Sequence, residues 1–425
     1  MKSWGRGGVA IAAGVVLALS AGGVAHADQV RDLEYWLNDY GFSQAWQTTK
    51  GAGVTVAVID TGVDGSVPDL AGAVVGGTDV SGVGAANGQK PLGGDADSSS
   101  HGTWVASLLA GRGTGADSGV LGAAPEASIL TASVALGTSA GSISSDDQIA
   151  SAVRWAVDNG ATVINMSLTR NTLDWPVSWD DAFQYAFSHD VVIVAAAGNR
   201  GSGTTEVGAP ATIPGVLTVA GVDRSGKASF DASSQGITIG VSAPSEQLVG
   251  ANPGGGYVQW AGTSGAAPLV SGAVALVRAA HPELKAADVI ERIIKTARPV
   301  AGAVPSPIYG FGLLNAGAAV TASVPHVTAN PMGDLTEWIR IHRRAAVPVT
   351  PAPNAPAPGG GAGASATPQA LAPDRSVRFD QLLWPSWNAL TTFWLPFSVI
   401  AGFLALAALG GVGAWRHFRR TARRE

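Results

Sequence analysis

Three short segments, far apart in the chain, carry the residue types needed for nucleophilic catalysis. Val56-Ala57-Val58-Ile59-Asp60-Thr61-Gly62 ends an apolar run on a carboxylate. His101-Gly102-Thr103-Trp104-Val105-Ala106 places an imidazole before an apolar helical pattern closed by Gly111. Gly262-Thr263-Ser264-Gly265-Ala266-Ala267-Pro268 places a hydroxyl before a long small-residue run. A serine hydroxyl is a weak nucleophile at neutral pH. It needs an imidazole to accept its proton, and a carboxylate to hold that imidazole in the right tautomer. Each residue also has a plainer reading: Asp60 as a turn residue, Ser264 as a helix N-cap, His101 as a surface group. The combination makes Asp60, His101 and Ser264 the candidate catalytic set. The other His among the seven in the chain, His26, His189, His281, His326, His342 and His417, have no supporting motif.

These residues need elements to position them. The β-branched run 53–59 reads as a buried parallel strand, and its C-terminal edge is where open α/β sheets bind ligands. His101 is expected at the start of a helix. Ser264 is expected at the N-terminus of a buried helix, where backbone dipoles are positive. Val191-Val192-Ile193-Val194-Ala195-Ala196-Ala197-Gly198-Asn199 reads as another buried strand, and so does Ala161-Thr162-Val163-Ile164-Asn165-Met166-Ser167-Leu168. Helical patterns at 150–157 and 284–296 alternate with such strands, which predicts a parallel sheet covered on both faces.

The order Asp, His, Ser and the wording of the three motifs resemble the subtilisin-like serine proteases, the subtilases, over residues 36–322. The resemblance implies an α/β fold of three layers, with a mostly parallel sheet between helices. It implies that Asn199 donates its side-chain amide to the oxyanion, with the Ser264 N–H as second donor. The plainer reading of Asn199 is a turn asparagine in a left-handed conformation. The resemblance also makes Ser167 and Leu168 the edge that pairs with the substrate backbone, and makes Ala196, Ala197 and Gly198 the lining of the pocket for the residue before the scissile bond. The family usually has Gly after Ser-Leu. Thr169 and Arg170 stand here instead, which predicts a narrowed channel.

No cofactor is expected. Asp69, nine residues after Asp60, resembles a carboxylate that binds Ca²⁺ in some subtilases. The family's Asn-rich calcium loop is replaced here by Gly113-Thr114-Gly115-Ala116-Asp117-Ser118, so a cap or surface role is expected for Asp69. No His/Cys cluster points to zinc.

The ends of the chain bear on location. Residues 1–27 read as a signal peptide, with Lys2 and Arg6 before an apolar core at 9–21 and Ala25-His26-Ala27 as the cleavage site. Residues 28–50 form a short extension without room for a folded prodomain, with a short helix near Asp32 to Leu37 packed on the domain surface. The catalytic domain spans 51–323. Residues 324–390 form a linker, Pro/Ala/Gly-rich at 345–373. Residues 391–415, with an apolar stretch at 393–415, are long enough to span a bilayer. A basic tail, 416–425, carries Arg416, Arg419, Arg420, Arg423 and Arg424. The positive-inside rule puts that tail in the cytoplasm and the protease outside.

With no cysteine the chain has no disulfide framework, and a net charge of −5 gives no sign of nucleic-acid binding. A domain of roughly 290 residues buries enough surface to stabilise itself without cross-links. The full architecture resembles the mycosins, membrane-anchored proteases of bacterial type VII secretion systems. That implies a serine endopeptidase acting on a protein or peptide substrate beside secretion components at the cell membrane. Two other readings stay open: a general cell-surface housekeeping subtilase, and a structural subunit whose proteolysis is dispensable.

Overall fold

The structure is a computed structural model that describes residues 29–136, 143–300 and 302–343. The signal segment, the Pro-rich tract, the 393–415 stretch and the basic tail lie outside the described residues.

In chain order the helices are α1 (Gln29–Leu33), α2 (Trp36–Asp39), α3 (Phe42–Ala45), α4 (Ala96–Ala110), α5 (Ser145–Asp158), α6 (Val177–Ser188), α7 (Thr263–Ala280), α8 (Ala286–Lys295), α9 (Ala316–Thr321) and α10 (Leu335–His342). The strands are β1 (Thr55–Asp60), β2 (Val74–Asp79), β3 (Ser128–Ser133), β4 (Val163–Met166), β5 (Val192–Ala196), β6 (Leu217–Val222), β7 (Ile239–Pro244), β8 (Leu248–Ala251) and β9 (Tyr257–Trp260). Strands β1 to β7 form one sheet in the order β2-β3-β1-β4-β5-β6-β7, and every pairing in it is parallel. β8 and β9 form a separate antiparallel hairpin.

The apolar runs read as buried strands because both faces of this sheet are covered. Side chains alternate along a strand. Val56, Val58, Val163, Val192 and Val194 enter the core on one face, with α4 and α7. Ala57, Ile59, Ile164, Met166 and Ile193 enter the core on the other, with α5 and α6. Helix α7 is long and apolar enough to cross a membrane by composition, but 78% of it is buried inside the domain, so it is a core helix.

Two expectations are corrected. Helix α4 begins at Ala96 rather than at His101, because the Asp95 carboxylate caps it by accepting the Ser98 N–H at 2.8 Å. His101 therefore stands inside the helix, with the serines before it forming its first turns. The N-terminal segment is not laid on the surface. It forms three short helices, and Trp36 and Phe42 are both fully buried in the α4–α7 side of the core.

Candidate active site

β1 delivers Asp60 to the C-terminal edge of the sheet, where its backbone pairs with Ser133 of β3. The carboxylate is 1% exposed. Its Oδ1 accepts the Thr61 N–H at 2.7 Å. Thr61 Oγ1 donates to the Ser98 carbonyl at 2.9 Å, which ties the end of β1 to the first turn of α4. Gly102 permits this close approach, since a Cβ there would collide with the Gly62 carbonyl and stand 3.2 Å from Asp60 Oδ1. As a result His101 Nδ1 lies 2.9 Å from Asp60 Oδ1 and 3.1 Å from Oδ2. An acceptor-only carboxylate fixes the proton on Nδ1 and leaves Nε2 free as a base. Burial alone would depress the His101 pKa. The Asp60 charge and hydrogen bond outweigh it and hold the imidazole above its ordinary value.

Ser264 is the second residue of α7, and the helix N-cap is Gly262 rather than Ser264. The Ser264 hydroxyl donates to the Ser167 carbonyl at 3.1 Å, and the Ser167 hydroxyl donates to the Ser264 carbonyl at 2.8 Å. Behind this pair stands a buried polar chain that the sequence reading missed. Asn165 Nδ2 donates to Ser167 Oγ at 3.0 Å, and Ser271 Oγ, two turns along α7, donates to Asn165 Oδ1 at 2.9 Å. A lone asparagine inside Val-Ile-Asn-Met was the available signal, since a buried strand rarely keeps an amide without partners.

Asn199 follows β5. Its Oδ1 accepts from Thr263 N at 2.8 Å and from Thr263 Oγ1 at 2.9 Å, and Thr263 Oγ1 itself accepts the Gly198 N–H at 3.1 Å. A backbone N–H can only donate, so these bonds set the amide orientation and turn Nδ2 away as a donor. A Cβ at Gly262 would stand 3.0 Å from that Nδ2, and Gly262 has φ of 147°, so glycine is required there. Thr263, fully buried, is a positioning residue absent from the sequence-based set.

A cleft of about 690 Å³ runs past His101, and its lining includes Thr61, Asp97, Ser98, Trp104 and residues 167–172. Leu136, Ile149 and Leu168 give it an apolar floor. Arg170 and Asp146, both in this lining, form an ion pair. The strap after β4 is tied down where Arg170 N donates to the Ala209 carbonyl at 2.7 Å and Ala209 N to the Thr172 carbonyl at 2.9 Å. Ser167 and Leu168 thus face the cleft. Ala196 and Ala197 are 2% and 0% exposed and enter opposite cores, because the end of a central strand is covered on both faces. Gly198 is buried too, and none of the three lines this cleft.

Asp69 is not a surface residue. It is 3% exposed, and its Oδ1 accepts the Val120 N–H at 2.5 Å. The neighbouring loop already faces a cation, since Arg31 Nη2 donates to the Ser118 carbonyl at 3.1 Å and Nη1 to Glu34 Oε2 at 3.3 Å. Among the described residues no group of three or more His, Cys, Asp or Glu is placed to hold a metal.

The chain is similar to known proteins in sequence and in fold. The model of the subtilase family matches residues 51–312. Subtilisin E of Bacillus subtilis (strain 168) is 38% identical over 289 residues, which cover 66% of this chain and 70% of that protein. MycP1 from Mycobacterium smegmatis is a structural neighbour with a TM-score of 0.57 at 31% identity, over 68% of this chain and 85% of that one. The MycP3 protease from the type VII (ESX-3) secretion system gives 0.58 at 33% identity, over 68% and 88%. The family match spans more than half the chain, and the relatives are aligned over most of their own length. This protein therefore belongs to the subtilase family and is a subtilisin-like serine endopeptidase, with mycosins among its structural neighbours.

Proposed function

We propose that Asp60, His101 and Ser264 form the catalytic triad and that Asn199 with the Ser264 N–H forms the oxyanion hole. The observation that carries this reading is the contact of His101 Nδ1 with both oxygens of the buried Asp60, at 2.9 and 3.1 Å, in a cleft that Ser167 also lines. Ser264 Oγ leaves the Ser167 carbonyl and gives its proton to His101 Nε2 as it attacks the peptide carbonyl carbon. The oxyanion accepts from Asn199 Nδ2 and the Ser264 N–H. The C–N bond breaks, and the imidazolium protonates the departing amine. Water then attacks the acyl-enzyme, gives a proton to His101, and releases the new carboxyl terminus while Ser264 recovers its hydrogen. Ser167 and Leu168 pair with the substrate backbone, and the backbone of Ala196, Ala197 and Gly198 bounds the position before the scissile bond.

The physiological setting we infer is the outer face of the cell membrane. The protein is exported by residues 1–27, held by a span at 391–415, and processes proteins linked to type VII secretion. Support comes from the apolar stretch followed by five arginines and from the likeness to MycP1 and MycP3. A fluorophosphonate probe should label Ser264 in the wild type and fail on Ser264→Ala. Complementation separates the roles: Ser264→Ala that fully restores secretion would leave the protein a structural subunit. A wild type that labels but whose loss leaves type VII export unchanged would make it a housekeeping protease.

A further inference from the structure

Trp260 ends the β8–β9 hairpin two residues before Gly262 and lies against His101. The ring centroids are 5.8 Å apart and the planes meet at 71°, an edge-to-face contact. Trp104, on the next turn of α4, braces the indole from another side at 5.5 Å, and its own N–H donates to Asn252 Oδ1 at 2.9 Å. Two glycines leave the slot in which Trp260 sits. A Cβ at Gly250 would stand 3.1 Å from Trp260 Nε1 and 2.9 Å from Trp104 Cβ. A Cβ at Gly265 would stand 3.2 Å from Trp260 Cη2 and collide with Leu248 Cδ1. Trp260 Nε1 is buried with no hydrogen-bond partner among the described residues. An indole usually places itself by that N–H. Here apolar packing and the hairpin backbone hold it, and one of the rings against it is the imidazole.

The proposed cycle charges His101 each time Ser264 gives up its proton. An aromatic face within about 6 Å of a cation attracts it, and the positive edge of one ring prefers the negative face of another. We propose that Trp260 is a positioning residue whose π face holds the His101 ring against Asp60 and stabilises the imidazolium formed during acyl transfer. The inference rests on His101 acting as the general base. The ionisable groups that share its surroundings are Asp60 from β1, Asp97 from the preceding turn of α4, and the Asp146–Arg170 pair in the cleft lining. The hairpin itself brings no carboxylate or ammonium, only Tyr257.

The test is the pH–rate profile of Trp260→Leu and Trp260→Phe with a small uncharged peptide substrate. Leucine keeps an apolar cover but has no π face, and phenylalanine keeps the face. Trp260→Leu should lower kcat about 2- to 5-fold with KM little changed. It should also move the acidic limb of the profile to lower pH, because the imidazolium has lost a partner. Trp260→Phe should restore most of both. If the leucine variant does not fold, Trp260→Met gives the same comparison. An unmoved acidic limb overturns the proposal, and so does a limb moved to higher pH or a change in KM alone. A His101→Ala enzyme that labels and turns over like the wild type would instead overturn the general-base reading on which the proposal stands.

Discussion

Ser264 and Ser167 hold each other from both ends, each hydroxyl donating to the other's carbonyl, at 3.1 and 2.8 Å. The first bond rests the proposed nucleophile on the end of β4, and the second fixes the start of α7 to that same strand. Turning Ser264 Oγ toward His101 releases only the first bond, so the helix stays in place while the hydroxyl rotates.

Ser167→Ala should therefore do two separable things. It strands the buried Asn165 Nδ2 without its acceptor, at a cost of about 1–3 kcal/mol, visible as a lower Tm of roughly 2–4 °C per kcal/mol. It also loosens the start of α7, for which we expect about a tenfold fall in kcat. A calorimetric scan and steady-state kinetics on one sample check both. Unchanged Tm would mean that the Ser271–Asn165–Ser167 chain contributes nothing to stability.

Asn199→Ala removes the donor aimed outward by Thr263. Loss of the corresponding oxyanion donor in subtilisin costs about 10²–10³ in kcat, and a similar loss is expected here with KM nearly constant. Thr263→Val keeps Asn199 but takes away one of its two anchors and the acceptor for Gly198 N–H, so it should fall between wild type and Asn199→Ala. Kinetics of the two variants side by side decide the order.

The pH dependence follows from His101. Its pKa is pressed down by burial and raised above the ordinary value by the larger combined effect of Asp60. In the proposed cycle the neutral imidazole is the base, so activity should rise with pH through a midpoint above the ordinary histidine value of about 6.5. Asp60→Asn should lower kcat by about 10⁴ and move the residual activity's midpoint downward. The charged pair also contributes stability that is fully present below the unfolded histidine value and lost as pH rises through the folded one. A midpoint in Asp60→Asn equal to or above that of the wild type would contradict this account.

Glu34 gives a second pH handle, away from the cleft. Burial raises its carboxyl from 4.5 to about 8, against the opposing pull of the Leu121 N–H and Arg31. The raised value means that its contribution to stability is present below 4.5 and is lost as pH climbs toward 8. Because Glu34 joins the N-terminal helices to the 112–121 loop through Leu121 N at 2.6 Å, that junction should open first in alkaline buffer. Limited proteolysis near residue 34 across neutral to alkaline pH reads it out. Glu34→Gln should flatten the dependence, and equal cleavage at all pH values in the wild type would refute the prediction.

The site is legible in the sequence where chemistry and periodicity coincide. Asp60 and Asn199 stand at the ends of apolar runs that read as buried strands and form β1 and β5, and Ser264 lies in the first turn of a small-residue helix. It is not legible where position depends on neighbours distant in sequence. Thr263, Asn165 and Ser271 are small polar residues inside apolar segments, and nothing local says that Thr263 bonds to Asn199 or that Ser271 bonds to Asn165. Ala196 and Ala197 fit the motif, but burial on both sheet faces keeps their side chains from the cleft. The Asp95 cap starts the helix at Ala96, so His101, expected at its start, stands inside it. Trp36 and Phe42 lie in a segment too short to display a periodicity, so their place in the core was not legible.

The strap 169–172 begins where the Ser271–Asn165–Ser167 anchor ends. The anchor is internal to α7 and β4, whereas the strap is fastened to the 204–209 segment by its own bonds. Substitutions in the strap can reshape what the cleft admits without disturbing the nucleophile. A lineage carrying this frame is free to change its diet while keeping its reaction.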